Sequence, residues 1–248
     1  MQRPTSKIGF VAATLSMVMM FAASATPIPL YDIYRRANGL TYNDLSLTAV
    51  VYFIGAITAL LVLGRISNHV GRKPSVFLAF GFASTATVIL LDVGSGLPLI
   101  VGRLLLGLSC GLASSSIASF VVDSAQTSFP KWLPAVVVAN APMVGLTIGA
   151  LASGVLVEYG PYPRTLCYLV ALVGLLACAV CVALSKETVR RTPGLLASLR
   201  PSFSLPQADR RLYPVAACVF VATWALGGFY QAYGTSITST QLATQSTL

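Results

Sequence analysis

Few side chains in this sequence could do chemistry, and their spacing makes them conspicuous. Arg103 stands inside the apolar run "GRLLLGLSCG". Arg65, His69, Arg72 and Lys73 crowd into "GRISNHVGRKP", and Asp32, Asp92 and Asp123 fall near the ends of apolar runs. A guanidinium inside an apolar helix costs about 2.5 kcal/mol or more in a bilayer. Arg103 must therefore face a polar interior, or snorkel to an edge about six residues away. His69 is the only histidine, which excludes paired-histidine metal sites, histidine-dependent triads and HExxH chemistry. There is no Walker-type glycine loop for ATP. The expectation is a protein that is not an enzyme, with no catalytic residues, no cofactor and no metal.

These residues sit in a chain of 248 residues that is 56% hydrophobic and 9% charged, with a mean hydropathy of +0.79. A soluble domain carries about 25% charged residues, so the solvent implied is a lipid bilayer. Apolar blocks long enough to span it run approximately 8 to 31, 46 to 66, 75 to 93, 97 to 122, 133 to 157, 163 to 184 and 213 to 233. Backbone amides find no partner in lipid and period-two alternation is absent, so the fold class is all-α: a polytopic membrane protein with six helices in a bundle and a seventh transmembrane helix. The run after Arg3 and Lys7 has a cleavable look around 23 to 25 but continues to Tyr31, and reads as an uncleaved first helix. The five cysteines lie in or beside apolar blocks, and "CAVC" at 178 to 181 puts two small residues on one helix face, which reads as packing.

The net charge of +9 follows topology rather than nucleic acid, because the basic residues fall between spans. With the N-terminus cytoplasmic, Arg3, Lys7, Arg65, Arg72, Lys73, Lys131 and the basic residues from Lys186 to Arg211 all lie inside. Only Arg35, Arg36 and Arg164 lie outside. Three units follow: a six-helix bundle over 1–185, a basic cytoplasmic linker over 186–212 with a short surface helix near 194 to 199, and the first helix of a truncated second bundle over 213–248.

Gly64 and Gly71 bracket the tight connection between the second and third spans, where an ordinary positive-inside loop would need no such glycines. The stretch resembles the loop signature of the major facilitator superfamily of transporters: a glycine, three residues, an aspartate, a basic residue, one residue, then Gly-Arg-Arg/Lys. Gly64, Gly71, Arg72 and Lys73 match, His69 stands where Arg or Lys is usual, and Asn68 stands where the acid is expected. The resemblance implies a cytoplasmic latch in which Asn68 keeps a hydrogen bond but loses the charge, and in which Asp123 pairs with Arg72. An arginine followed by Gly107 in the fourth span is also similar to that family, which implies a role for Arg103 in substrate or proton coupling. Gly107 and Gly111 form a small-xxx-small face whose default meaning is close packing. "GLTIGALASG", with Gly145, Gly149 and Gly154, partly matches the glycine-rich fifth-span motif of the family's antiporters. Pro142 lies one turn earlier and is expected to kink that helix. Tight packing explains the same small residues, so antiport is a leaning here.

"TPIPLYDIY" ends the first span with two prolines and an aromatic cluster. It reads either as an interfacial belt or as a discontinuous helix that puts Tyr31 and Asp32 on a substrate path. Gly64, Asn68, Gly71 and Arg72 are echoed at Gly154, Glu158, Gly160 and Arg164, the trace expected of two three-span repeats of inverted topology. The resemblance implies a multi-pass secondary transporter, in a bacterial inner membrane, that moves a small solute by alternating access, with efflux by proton antiport as the finer reading. Its partners would be a small-molecule substrate, the bilayer, a coupling proton and a missing C-terminal half or partner chain, and no nucleic acid. The competing reading is a truncated, transport-inactive fragment, or a half-transporter that needs a partner chain.

Overall fold

The computed structural model describes residues 7–125, 129–189 and 212–241. Its helices are α1 (Lys7–Ala25), α2 (Tyr31–Asn38), α3 (Tyr42–Thr58), α4 (Ile66–Val70), α5 (Arg72–Ile89), α6 (Gly96–Ala125), α7 (Trp132–Tyr159), α8 (Leu166–Leu184) and α9 (Tyr213–Gln241). A 3-10 turn at Ile28–Leu30 separates α1 from α2, and a π turn at Ala59–Leu63 closes α3. Among the described residues there is no strand. Each expected span corresponds to a helix. The helical runs Lys7–Asn38, Tyr42–Leu63, Gly96–Ala125, Trp132–Tyr159, Leu166–Leu184 and Tyr213–Tyr230 are long and apolar enough to cross a membrane. The third span is outside that set, and Arg72 and Lys73 in its first turn lower its hydropathy. Most of the basic linker, with the surface helix expected near 194 to 199, and Arg3 lie outside the described residues.

Local chemistry sets the helix boundaries. Pro27 and Pro29 have no N–H to give to the carbonyls one turn back, so the first span cannot continue as an α-helix through them. Thr41 starts α3 with a reciprocal cap: its hydroxyl accepts from the Asp44 amide at 3.2 Å, and the Asp44 carboxylate accepts from the Thr41 amide at 2.8 Å. Pro142 sits inside α7 without interrupting it.

The bundle is held where backbones touch. A Cβ at Gly107 or Gly111 of α6 would collide with the carbonyl oxygens of Tyr52 and Ala56 on α3; one at Gly145 or Gly149 of α7 would collide with those of Val18 and Ala22 on α1. In lipid, where apolar side chains gain nothing from leaving water, this close van der Waals approach replaces the hydrophobic drive. In both crossings glycines four residues apart on one helix meet carbonyls four residues apart on the other, in spans four and two and again in spans five and one. An inverted three-span repeat relates these two span pairs, although the glycines lie on non-equivalent members of them. α9 packs lightly on this bundle, through Gly228 against Phe53 and a 2.6 Å hydrogen bond between the Ser46 and Tyr233 hydroxyls.

Candidate functional site

The Arg103 side chain turns into the bundle. It has no exposed surface, and its Nη1 donates to the Ser24 carbonyl at 2.8 Å. The proline break explains why that acceptor is available, since the last carbonyls of α1 have lost the ordinary helical run of amides that would follow. The Thr26 carbonyl, in the same break, accepts from Ser153 Oγ at 2.7 Å. Both side-chain donors thus come from other spans, which answers the demand that buried backbone groups in a membrane be satisfied.

The guanidinium carbon of Arg103 lies 4.6 Å from the ring centre of Tyr52 and 5.8 Å from that of Tyr31. These are cation–π distances, and burial raises the worth of such contacts to about 2 kcal/mol. Tyr52 accepts a hydrogen bond from Ser24 at 3.2 Å, and Tyr31 accepts one from Thr48 at 3.4 Å. Tyr31 and Tyr34 are buried, so the aromatic cluster is no lipid-facing belt; the discontinuous first span is what the structure contains. Arg103 and Tyr31 are brought together as expected, whereas Asp32 is set apart. Its two carboxylate oxygens are held by Arg35 at 2.8 Å and Arg36 at 2.7 Å on its own helix. Tyr52 and Ser24 were not singled out from the sequence; a tyrosine and a serine inside apolar runs were the only signal.

The second cluster lies at the Arg72 end of the bundle. Arg72 Nε donates to Asp123 Oδ2 at 2.8 Å, and its Nη1 donates to Ser67 Oγ at 2.6 Å and to Asn68 Oδ1 at 2.7 Å. The amide at position 68 therefore makes the hydrogen bond that the expected acid would have made. Glu187, just after the sixth span, accepts from the backbone amides of Arg72 and Lys73, each at 2.9 Å, and so caps the positive end of α5. Lys73 Nζ in return donates to the carbonyls of Ala183 and Ser185, both at 2.8 Å, at the end of α8. Gly71 has φ of 108°, a conformation closed to most residues, and a Cβ there would lie 2.9 Å from Glu187 Oε2. Gly64 directly follows the π turn as its cap, and His69 lies near the end of α4, next to Asn68. Glu187 and Ser67 escaped sequence reasoning; the hint for Glu187 was an acid at the start of an otherwise basic connection.

The remaining expected residues are structural in placement. Gly107, Gly111, Gly145 and Gly149 form the crossings described above, and Pro142 and Gly154 are buried on α7. Among the described residues no cluster of three or more histidine, cysteine or acidic side chains could hold a metal.

Comparison with known proteins agrees with this architecture. The sequence profile of the Major Facilitator Superfamily matches residues 13–247. Multidrug resistance protein MdtL of Klebsiella pneumoniae subsp. pneumoniae is 23% identical over 205 residues, 81% of this chain and 49% of that protein. Sugar transporter ERD6-like 8 of Arabidopsis thaliana is 30% identical over 93 residues, 38% of this chain and 20% of that protein. A crystal structure of a peptide transporter POT in complex with sulfate superposes with a TM-score of 0.59 at 17% identity, covering 89% of this chain and 47% of that one. The chain thus spans half or less of the length of these relatives.

Proposed function

The chain belongs to the Major Facilitator Superfamily, and from that premise we propose that its first six spans form one bundle of a secondary active transporter that moves a small solute by alternating access. The second bundle begins at α9 and is completed by further chain or by a partner. The observation that carries the reading is Arg103: a charged side chain with no exposed surface, set among two tyrosines and the carbonyl of a broken helix. A cation is kept at such a depth where solute or ion must be recognised. Arg103 and Tyr31 line the path, with Asp32 at its mouth.

The Arg72 cluster is the latch: Gly64, Asn68, His69, Gly71, Arg72, Lys73 and Asp123 hold the connection between spans two and three against spans four and six. The distribution of basic residues supports placing this end and the N-terminus in the cytoplasm, in a bacterial inner membrane. Efflux by proton antiport is the finer reading. It is supported by the match to a multidrug resistance protein over most of this chain, and by the glycine face of α7 (Gly145, Gly149, Gly154, with Pro142), taken here as a gating surface. No carboxylate of this bundle is assigned the proton; Asp32 is already occupied by two arginines. No enzymatic step is assigned.

The test is flux in proteoliposomes, with a fluorescent organic cation, a hexose and a dipeptide as probes, for the chain alone and with a second bundle supplied. Arg103→Ala is expected to lower flux at least tenfold. A wild-type rate in that variant would remove Arg103 from the path, and absence of flux for every probe under both conditions would leave the inactive-fragment reading in possession.

A further inference from the structure

At the end of the bundle away from Arg72, Asn38 uses both faces of its amide. Its Nδ2 donates to the Val93 carbonyl beyond α5 at 2.9 Å, and its Oδ1 accepts from Arg164 Nη2 in the connection before α8. One side chain therefore joins the outer ends of three spans. Asn38 is the last residue of α2, which Gly39 ends with φ of 67°. One turn back along α2, Tyr34 donates to the hydroxyl of Tyr168 on α8 at 3.1 Å, and the Arg164 guanidinium lies 5.7 Å from the Tyr34 ring centre.

The other end of α2 is a break. Between α1 and α2 the α-helical ladder gives way to a 3-10 turn, with links from Thr26 to Ala22, Leu30 to Pro27 and Tyr31 to Ile28, because Pro27 and Pro29 offer no N–H. α2 is absent from the close glycine crossings that hold the bundle; besides the fastening at its last turn it is tied by Tyr31 to Thr48 and Arg103, by Arg35 over the Tyr42 ring at 4.9 Å, and by light contact with α9. A short rigid helix with a weakened joint at one end and a side-chain fastening at the other is a lever. Tyr31, the first residue of that lever, is the one that faces Arg103 and Thr48.

We propose that α2 is a hinged segment fastened by an Arg164–Asn38–Val93 clasp, and that Arg164 and Asn38 are positioning residues that set Tyr31 over Arg103. With the clasp closed, Tyr31 completes the cover of the guanidinium; with it open, α2 turns about residues 26–30 and carries the Tyr31 ring away. The inference rests on the transport reading for its purpose, and not for its geometry.

Hydrogen–deuterium exchange of the full chain in nanodiscs tests it without any substrate. Arg164→Ala, which removes one charge-assisted hydrogen bond, is expected to speed exchange of the α2 amides about tenfold, and Asn38→Leu, which removes that bond and the one to Val93, by at least as much, while α6 keeps its wild-type rates. Arg164→Lys, which retains a cationic donor, should restore α2 to within about threefold of wild type. Tyr168→Phe, a milder change, should loosen α2 and leave α1 and α6 as they were. Unchanged α2 exchange in the first two variants would overturn the proposal. So would equal acceleration of α1, α6 and α8 in all variants, Tyr168→Phe included, because the contacts would then be ordinary packing. Absence of flux would sink the transport reading while leaving the exchange result intact, so the two failures are distinguishable.

Discussion

Gly149→Ala tests how the bundle is held together. A methyl group on Gly149 would stand 2.6 Å from Ala22 Cα and 2.7 Å from its carbonyl carbon. Non-bonded carbons rest at about 3.5 Å, so α7 must retreat from α1 by about 0.9 Å, since the obstacle is backbone and cannot rotate aside. That retreat carries Ser153, one turn along the same helix, away from the first span. Its 2.7 Å hydrogen bond to the Thr26 carbonyl stretches to about 3.6 Å, a length at which it ceases to be one. Overpacking costs about 1–3 kcal/mol and the lost hydrogen bond about 1 kcal/mol, while alanine's better helix propensity returns about 1 kcal/mol. The net expectation is a loss of about 1–3 kcal/mol, read as an unfolding midpoint in mixed micelles by the fluorescence of Trp132 and Trp224. Ser153→Ala should cost about 1 kcal/mol in the native background and close to nothing on top of Gly149→Ala, because the bond is already gone. Gly81→Ala is the control: nothing lies within 4 Å of a Cβ at that position, so it should be neutral or stabilising. The reasoning fails if Gly149→Ala is as stable as the native chain, or if Ser153→Ala costs the same in both backgrounds.

Two further outcomes follow from the Arg72 cluster. Asp123→Ala removes the charged partner of Arg72 while Ser67 and Asn68 remain; the paired side chains are only 11% and 22% exposed. The expected loss is about 2–3 kcal/mol, below the value for a fully buried pair. The same unfolding midpoint reads it, and the double variant Arg72→Leu/Asp123→Leu should lose less than Asp123→Ala alone. Asn68→Asp would set a second carboxylate on the Arg72 guanidinium, now 2.7 Å from the Asn68 oxygen. It is expected to tighten the latch and shift the balance between inward and outward access; an unchanged pattern of cysteine labelling from the two sides would reduce the stretch to topology.

Much of the architecture was legible in the sequence because a bilayer imposes simple rules. Apolar blocks of sufficient length must be helices, and basic residues between them mark one face. Motif spacing then carried the family, and the small-residue spacing of Gly107 with Gly111 and of Gly145 with Gly149 announced close crossings. Which helices those glycines would meet was not written there. The partners, Tyr52 with Ala56 and Val18 with Ala22, lie far off in sequence and are chosen by the three-dimensional packing of the spans.

The candidate site divides in the same way. The sequence alone determined that a charged residue stood inside the apolar run at position 103, that prolines at 27 and 29 would break the first span, and that residue 68 lacked an acid. Only the tertiary structure decided that Arg103 turns inward to the Ser24 carbonyl instead of snorkelling, that Tyr52 shares it with Tyr31, and that Asp32 is occupied by its own helix. It also decided that Glu187, from the far end of the bundle sequence, caps α5 beside Arg72. The physical reason is range. Propensity, hydropathy and chain breaks act over a few residues and can be read in order along a chain. Hydrogen bonds between spans depend on where separate helices cross, and no local spacing encodes that.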